Sequence, residues 1–250
     1  MTAFTLKAIA LVAMFADHVA VVFPYHIPIE FRAVGRLAWP IFAYLLAEGF
    51  RHTKAPDMFM MRLFALAVVS QIPYSMAITW ATQQDYMPWT QAISFVSGTN
   101  IFYTLFLGGA AITIYKWLEA QGLKLTAYTG AVFPTAVLAE LLSADYGGMG
   151  VLFIFCMYAI ANKRHRLIAL GVFSLSQFFP VMLLLTTPVV DYRFTLGTEH
   201  ILMMAFALST VGLLALYNGK RGIGMKWLFY AAYPVHLSVL AVAAVLLNRA

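Results

Sequence analysis

The feature that most constrains this chain is a succession of apolar runs, near residues 4–23, 34–50, 58–80, 101–118, 124–142, 148–161, 167–185, 199–216 and 227–247. A helix needs about 20 apolar residues to cross the bilayer, whose hydrocarbon core is about 30 Å thick. Lipid offers no partner for a bare N–H or C=O, so runs of this length predict helices that bond internally. The sixth run is the shortest. Between the runs stand short connections rich in breakers: "YHIP", "TKAPD", "DYGGMG", "TTPVVD" and "YNGKRGIG". Composition agrees, since 62% of the 250 residues are hydrophobic and 10% charged, against about 25% charged in a soluble domain. Mean hydropathy is +0.82, more apolar surface than a soluble core of this size could hide. The expected fold is all-α: one polytopic membrane domain over residues 1–250, a bundle of about nine transmembrane helices.

Basic residues give the orientation, because cytoplasmic loops carry the excess of lysine and arginine. With the N-terminus cytoplasmic and nine spans, Lys7, Arg51, Lys54, Arg62, Lys116, Lys124, Lys163, Arg164, Arg166, Lys220, Arg221 and Lys226 fall inside. Arg32, Arg36, Arg193 and Arg249 fall outside, as does the C-terminus. The first run lacks a small-x-small cleavage site and is interrupted by Asp17 and His18, so it reads as an uncleaved span. Cys156 is the single cysteine and lies within an apolar run, where packing is its expected role.

Ionisable groups at membrane depth cost about 2.5–3.5 kcal/mol each near a span centre and mark function by default. His18 lies eleven residues beyond Lys7, about 16 Å along a helix and almost three full turns, so the two share a face. Lys7 suits either an inner-leaflet anchor that snorkels or a ligand contact. His18 suits either a core histidine bonded to a neighbouring helix or a catalytic base. Asp17 projects about 100° away. Arg36, at comparable depth in the second span, is placed to balance it, and Arg32 shares the face of Arg36. Pro40 is expected to kink that span, and Glu48 to pair with Arg51 near its inner end. Toward the outer side, Asn100 precedes the fourth run and has the character of a helix cap. Asp145 stands in the "DYGGMG" turn, and Glu199 and His200 open the eighth run, where acid near a helix N-terminus is favourable without any function. His236, just after Pro234, is a second intramembrane histidine.

No Gly-rich nucleotide loop, metal-ligand spacing or nucleophile elbow is visible, so no metal is expected. No basic patch is interleaved with aromatics for nucleic acid. Membrane lipid is the one partner that composition demands. A histidine can take a proton from a hydroxyl or amine attacking a carbonyl, with a carboxylate to orient it. A cation at the inner face suits a phosphate-bearing cofactor from the cytoplasm. Coenzyme A, with its reactive end far from its phosphates, fits a cation and a histidine set well apart. A secondary transporter would also place ionisable groups beside broken helices, and a non-catalytic component of pilus or envelope assembly is a third class.

The segments "LKAIALVAMFADHVAVVF", "RAVGRLAWPIFAYLLAEGFRHT", "RLFALAVVSQIPY", "NIFYTLFLGG", "DYGGMGVLFI", "LYNGKRG" and "FYAAYPVHL" together resemble the TraX family of bacterial inner-membrane proteins. The member that gives that family its name N-acetylates conjugative pilin. TraX proteins are similar in turn to the acyltransferase-3 group, in which an early helix carries a basic residue, ten intervening positions and a histidine. Lys7 and His18 have this spacing. The resemblance implies an acetyltransferase of the inner membrane. Its donor would be acetyl-CoA and its acceptor a pilin subunit or an envelope glycan or lipid. It implies cofactor contact by Lys7 and catalysis by His18, as general base or as transient acyl carrier. Lysine in place of the commoner arginine keeps the charge but loses bidentate phosphate binding. Beside these, Arg51 and Arg62 are candidate coenzyme A contacts and His236 a second acid/base. Asp17 and Arg36, with Asn100, Asp145, Glu199 and His200, are candidates to balance charge or meet the acceptor.

Overall fold

The apolar runs become helices whose ends follow local chemistry. The computed structural model describes residues 1–79, 98–176 and 198–247. Among these are ten α-helices and no β-strand. They are α1 (Ala3–Val22), α2 (Glu30–Gly35), α3 (Ala38–His52), α4 (Pro56–Tyr74), α5 (Ile101–Ala120), α6 (Lys124–Leu141), α7 (Gly147–Ala159), α8 (Lys163–Ser176), α9 (Thr198–Ala215) and α10 (Lys226–Leu247). A π-helical turn, Ser75–Thr79, extends α4. The ends of the first, fourth, fifth, sixth, eighth and ninth runs fall within two residues of the helix ends. The distal half of the seventh run, Arg193 and Arg249 lie outside the described residues.

Among the described residues, four helical stretches are long and apolar enough to cross a membrane: Ala3–Val22, Pro56–Ile78, Ile101–Ala120 and Trp227–Leu247. Gly147–Ala159 and Ile201–Ala215 are apolar but shorter. Large apolar side chains stand exposed along these helices, Val12, Val69, Leu152 and Val239 among them. That is the surface a lipid solvent requires and water penalises. Among the described residues the fold is all-helical, with the apolar surface of a membrane protein.

The second run departs from expectation. Instead of one helix kinked at Pro40, it forms α2 and α3 with a break at Arg36 and Leu37, whose N–H groups bond back only three residues, to Ala33 and Val34. Pro40 has no N–H to reach the Arg36 carbonyl, so the helix cannot run through. Placed in the first turn of α3, where an N–H has no intrahelical acceptor, proline costs nothing further.

The described residues form two compact units: residues 1–20, 24–42 and 162–224, and residues 21–23, 43–161 and 225–250. In the first, α9 packs on α2 and α8. In the second, α5 packs on α4, α6 and α7, and α10 lies along α4. Gly108 and Gly109 let α5 approach its neighbours, since a Cβ on them would strike Ile154 and Phe50 respectively. The short α7 is closed at its N-terminus by Glu140, which accepts from the Gly148 N–H at 2.7 Å.

Candidate functional site

Within the first unit, α1 is one unbroken helix, so Lys7 and His18 stand on one face as their spacing requires. Both are half-buried. Beside His18, Asp17 Oδ1 accepts from Arg36 Nη2 at 3.0 Å and lies 3.2 Å from Arg32 Nε. The break after α2 positions this clamp. Arg32 and Arg36 are one turn apart, and Arg36 Nε also donates to the Arg32 carbonyl at 3.2 Å. Gly35 admits Asp17 to the α2 surface, because a Cβ there would overlap the aspartate side chain. One carboxylate with two guanidiniums leaves the trio with net positive charge. The pairing of Asp17 with Arg36 was readable from depth. The second arginine was readable only from the shared helical face.

The second unit holds a different polar centre. Asn100 is fully buried. Its Oδ1 accepts from the Phe102 N–H at 3.0 Å, capping α5. Its Nδ2 donates to the Ala67 carbonyl at 2.7 Å and to Gln71 Oε1 at 2.9 Å. Gln71, which the sequence reading passed over, accepts also from the Asn100 N–H and donates to Ser75 Oγ and the Gly98 carbonyl. The signal for it was "SQIP", two polar residues before a proline inside an apolar run. Next to this network the Asp145 N–H donates to the Thr99 carbonyl at 3.0 Å, and Thr104 Oγ1 donates to the Asp145 carbonyl. Asp145 itself is exposed.

In the same unit the ring of His236 meets Tyr233 edge-on at 5.5 Å, and Tyr233 meets Phe102 at 5.0 Å. His236 Nδ1 lies 2.7 Å from the Ala232 carbonyl. A carbonyl only accepts, so Nδ1 carries hydrogen and, in the neutral ring, Nε2 carries the lone pair.

Arg51 has a structural occupation. Its Nη2 donates to the carbonyls of Met157 at 3.1 Å, Ile160 at 2.8 Å and Tyr158, and its guanidinium carbon stands 5.6 Å from the centre of the Tyr158 ring. It therefore closes the C-terminal end of α7. Glu48 accepts from His52 Nε2 at 3.1 Å. Arg62 is half-buried on α4. Lys7 belongs to the first unit and Arg51 and Arg62 to the second. Glu199 and His200 lie in the first turn of α9, and their side chains are outside the described residues.

Comparison with known proteins supplies what geometry cannot. The chain is 29% identical, over 260 aligned positions, to a protein of Dichelobacter nodosus named "Probable fimbrial assembly protein FimC, serogroup H1". The alignment covers 99% of this chain and 97% of that relative. No solved structure matches. The family model described as TraX protein matches residues 3–244, nearly the whole length. The chain belongs to the TraX family.

Proposed function

We propose that this protein is a nine-span acetyltransferase of the bacterial inner membrane, with its N-terminus in the cytoplasm. It would move an acetyl group from cytoplasmic acetyl-CoA to a hydroxyl or amine acceptor in the envelope. The observation that carries this reading is α1, one unbroken helix with Lys7 and His18 on a common face and Asp17 clamped by two arginines. A cation and a base about 16 Å apart suit a donor whose thioester lies far from its phosphates.

In the reaction His18 takes the proton from the acceptor as its oxygen or nitrogen attacks the thioester carbonyl. The C–S bond breaks, and the thiolate leaves with that proton, so His18 returns to its starting state. Asp17, Arg32 and Arg36 fix the helix beside His18 and set the charge around it. His236, in the second unit, is a separate acid/base candidate. Arg51 is committed to three carbonyls, so Lys7 is the better phosphate contact. The relative's name favours a pilin subunit as acceptor. It favours equally a second reading, a membrane component of pilus assembly without catalysis, because the name states no reaction.

Mass spectrometry of envelope proteins and glycans, with and without the gene, tests the proposal. An acetyl group should vanish from one component on deletion and return with the wild-type gene. His18→Ala should insert normally and restore it about 10²–10⁴-fold more slowly. Full transfer by His18→Ala would remove His18 from the chemistry. Loss of pili with no change in any acetyl mark would establish the assembly reading instead.

A further inference from the structure

The "LYNGKRG" block takes no part in the chemistry above, yet in the first unit it is buckled to the start of α1. The Asn218 N–H donates to the Met1 carbonyl at 3.0 Å, the Ala3 N–H to the Lys220 carbonyl at 2.9 Å, and the Phe4 N–H to the Arg221 carbonyl at 3.1 Å. Asn218 Oδ1 also accepts from the Lys220 N–H at 3.0 Å, which tightens the turn. Gly222 is required twice over. Its φ is +72°, and a Cβ on it would lie 2.5 Å from Thr2 Oγ1 and 3.0 Å from Phe4 Cβ. On the other flank Lys163 Nζ donates to the carbonyls of Ala215 and Tyr217, both at 2.8 Å, and so closes the C-terminal end of α9.

This clasp gathers like charge. Lys7, one turn beyond the clasped residues, lies within electrostatic range of Arg221. Lys220 and Arg221 are exposed, Lys163 reaches the start of the loop through the Ala215 and Tyr217 carbonyls, and Arg164 and Arg166 follow it in the first turn of α8. The described acidic side chains of this unit are Asp17 and Glu30. Asp17 is ten residues along α1 from Lys7, about 15 Å away, and is engaged with Arg32 and Arg36. Backbone bonds that hold several cations together against their repulsion preorganise a site for an anion.

We infer that the 216–222 loop and the first turns of α1 form a phosphate-binding site, with Lys220 and Arg221 as its principal ligands and Lys7 at its inner edge. Phosphate fits because a guanidinium fork grips two of its oxygens while ammonium groups act as point charges. Such a group has two sources at this face: the nucleotide end of a soluble donor, or the headgroup of an anionic phospholipid. The nucleotide assignment rests on the acetyltransferase reading, whereas the site does not.

The test uses the full chain in nanodiscs of zwitterionic lipid. Binding of adenosine 3′,5′-bisphosphate is read by calorimetry, and retention of phosphatidylglycerol by native mass spectrometry. The K220A/R221A variant alters exposed side chains and keeps every backbone bond of the clasp. It should weaken at least one probe about tenfold or more, while K116A/K124A, which removes equal charge elsewhere, should not. Loss of nucleotide binding identifies the donor as the source, and loss of lipid retention alone identifies the headgroup. Equal binding of both probes by wild type and K220A/R221A overturns the site. With acetyl-CoA as donor, a raised KM at constant kcat in K220A/R221A ties the site to the reaction. Phosphate binding by a protein that transfers no acetyl group would leave the site standing and remove the transferase reading.

Discussion

Asp17 in one unit and Asn100 in the other are both polar side chains inside apolar helices, and their surroundings solve that problem in opposite ways. Asn100 is sealed at 0% exposure, and its amide finds partners in Gln71, the Ala67 carbonyl and the Phe102 N–H. None of these partners is charged. Asp17 keeps 19% of its side chain exposed and is met by two guanidiniums, one more positive charge than it neutralises. A neutral, closed network holds a fold in register and costs little once its hydrogen bonds are made. A charged, open one is an expensive means to that end, because each ion loses solvation that pairing only partly returns. On the proposed acetyltransferase reading, the difference separates scaffold from site, because stability alone is met more cheaply by amides.

The comparison breaks most readily at Asp17. Asp17→Ala leaves Arg32 and Arg36 together with no carboxylate between them. It should lower unfolding stability by about 3 kcal/mol, the low end for breaking a buried pair because this one is partly solvated. Acetyl transfer by the protein that remains folded should also fall. Removing Arg36 as well should recover part of the stability but none of the transfer, since the repulsion is relieved while the helix beside His18 stays unanchored. Denaturation of the detergent-solubilised protein and a turnover assay on the same sample read the two effects. Recovery of both would reduce the clamp to a structural tie.

Asn100→Ala probes the other side. It removes one cap, worth about 1 kcal/mol, and leaves the Ala67 carbonyl and the Gln71 amide short of a partner, for a total near 2–3 kcal/mol. Thermal melting should show the loss. A fall in transfer greater than the fall in folded protein would move Asn100 from scaffold to site.

What the sequence disclosed follows the range of the forces involved. Helix ends were legible because caps, prolines and apolar runs act over one or two turns. Asn100 was read as a cap and Lys7 with His18 as one face on that basis. Asp17 and Arg36 were matched by depth, a one-dimensional coordinate that a bilayer imposes on every span. The break at Arg36 and Leu37 was misplaced to Pro40 because a proline acts on the carbonyl four residues before it. Gln71 was missed since one amide among apolar neighbours has no periodic signature, and its partner lies 29 residues away. Arg51 was assigned by charge and depth alone, and its carbonyl partners are more than 100 residues distant.

Arg51 accordingly gives the smallest but most discriminating prediction. The 13 residues of α7 span about 20 Å, short for a bilayer core, and its last carbonyls need a donor that brings its own charge. One guanidinium nitrogen serves three of them. Lysine keeps the charge but not the planar fork or the stacking on Tyr158, so Arg51→Lys should cost about 1 kcal/mol of stability. The KM for acetyl-CoA should not change. If Arg51 instead gripped the phosphates of the donor, the same substitution would raise that KM and leave the melting temperature where it was. The two measurements move in opposite patterns, so a single variant decides whether this cation belongs with the scaffold of its own unit or with the ligands of the donor.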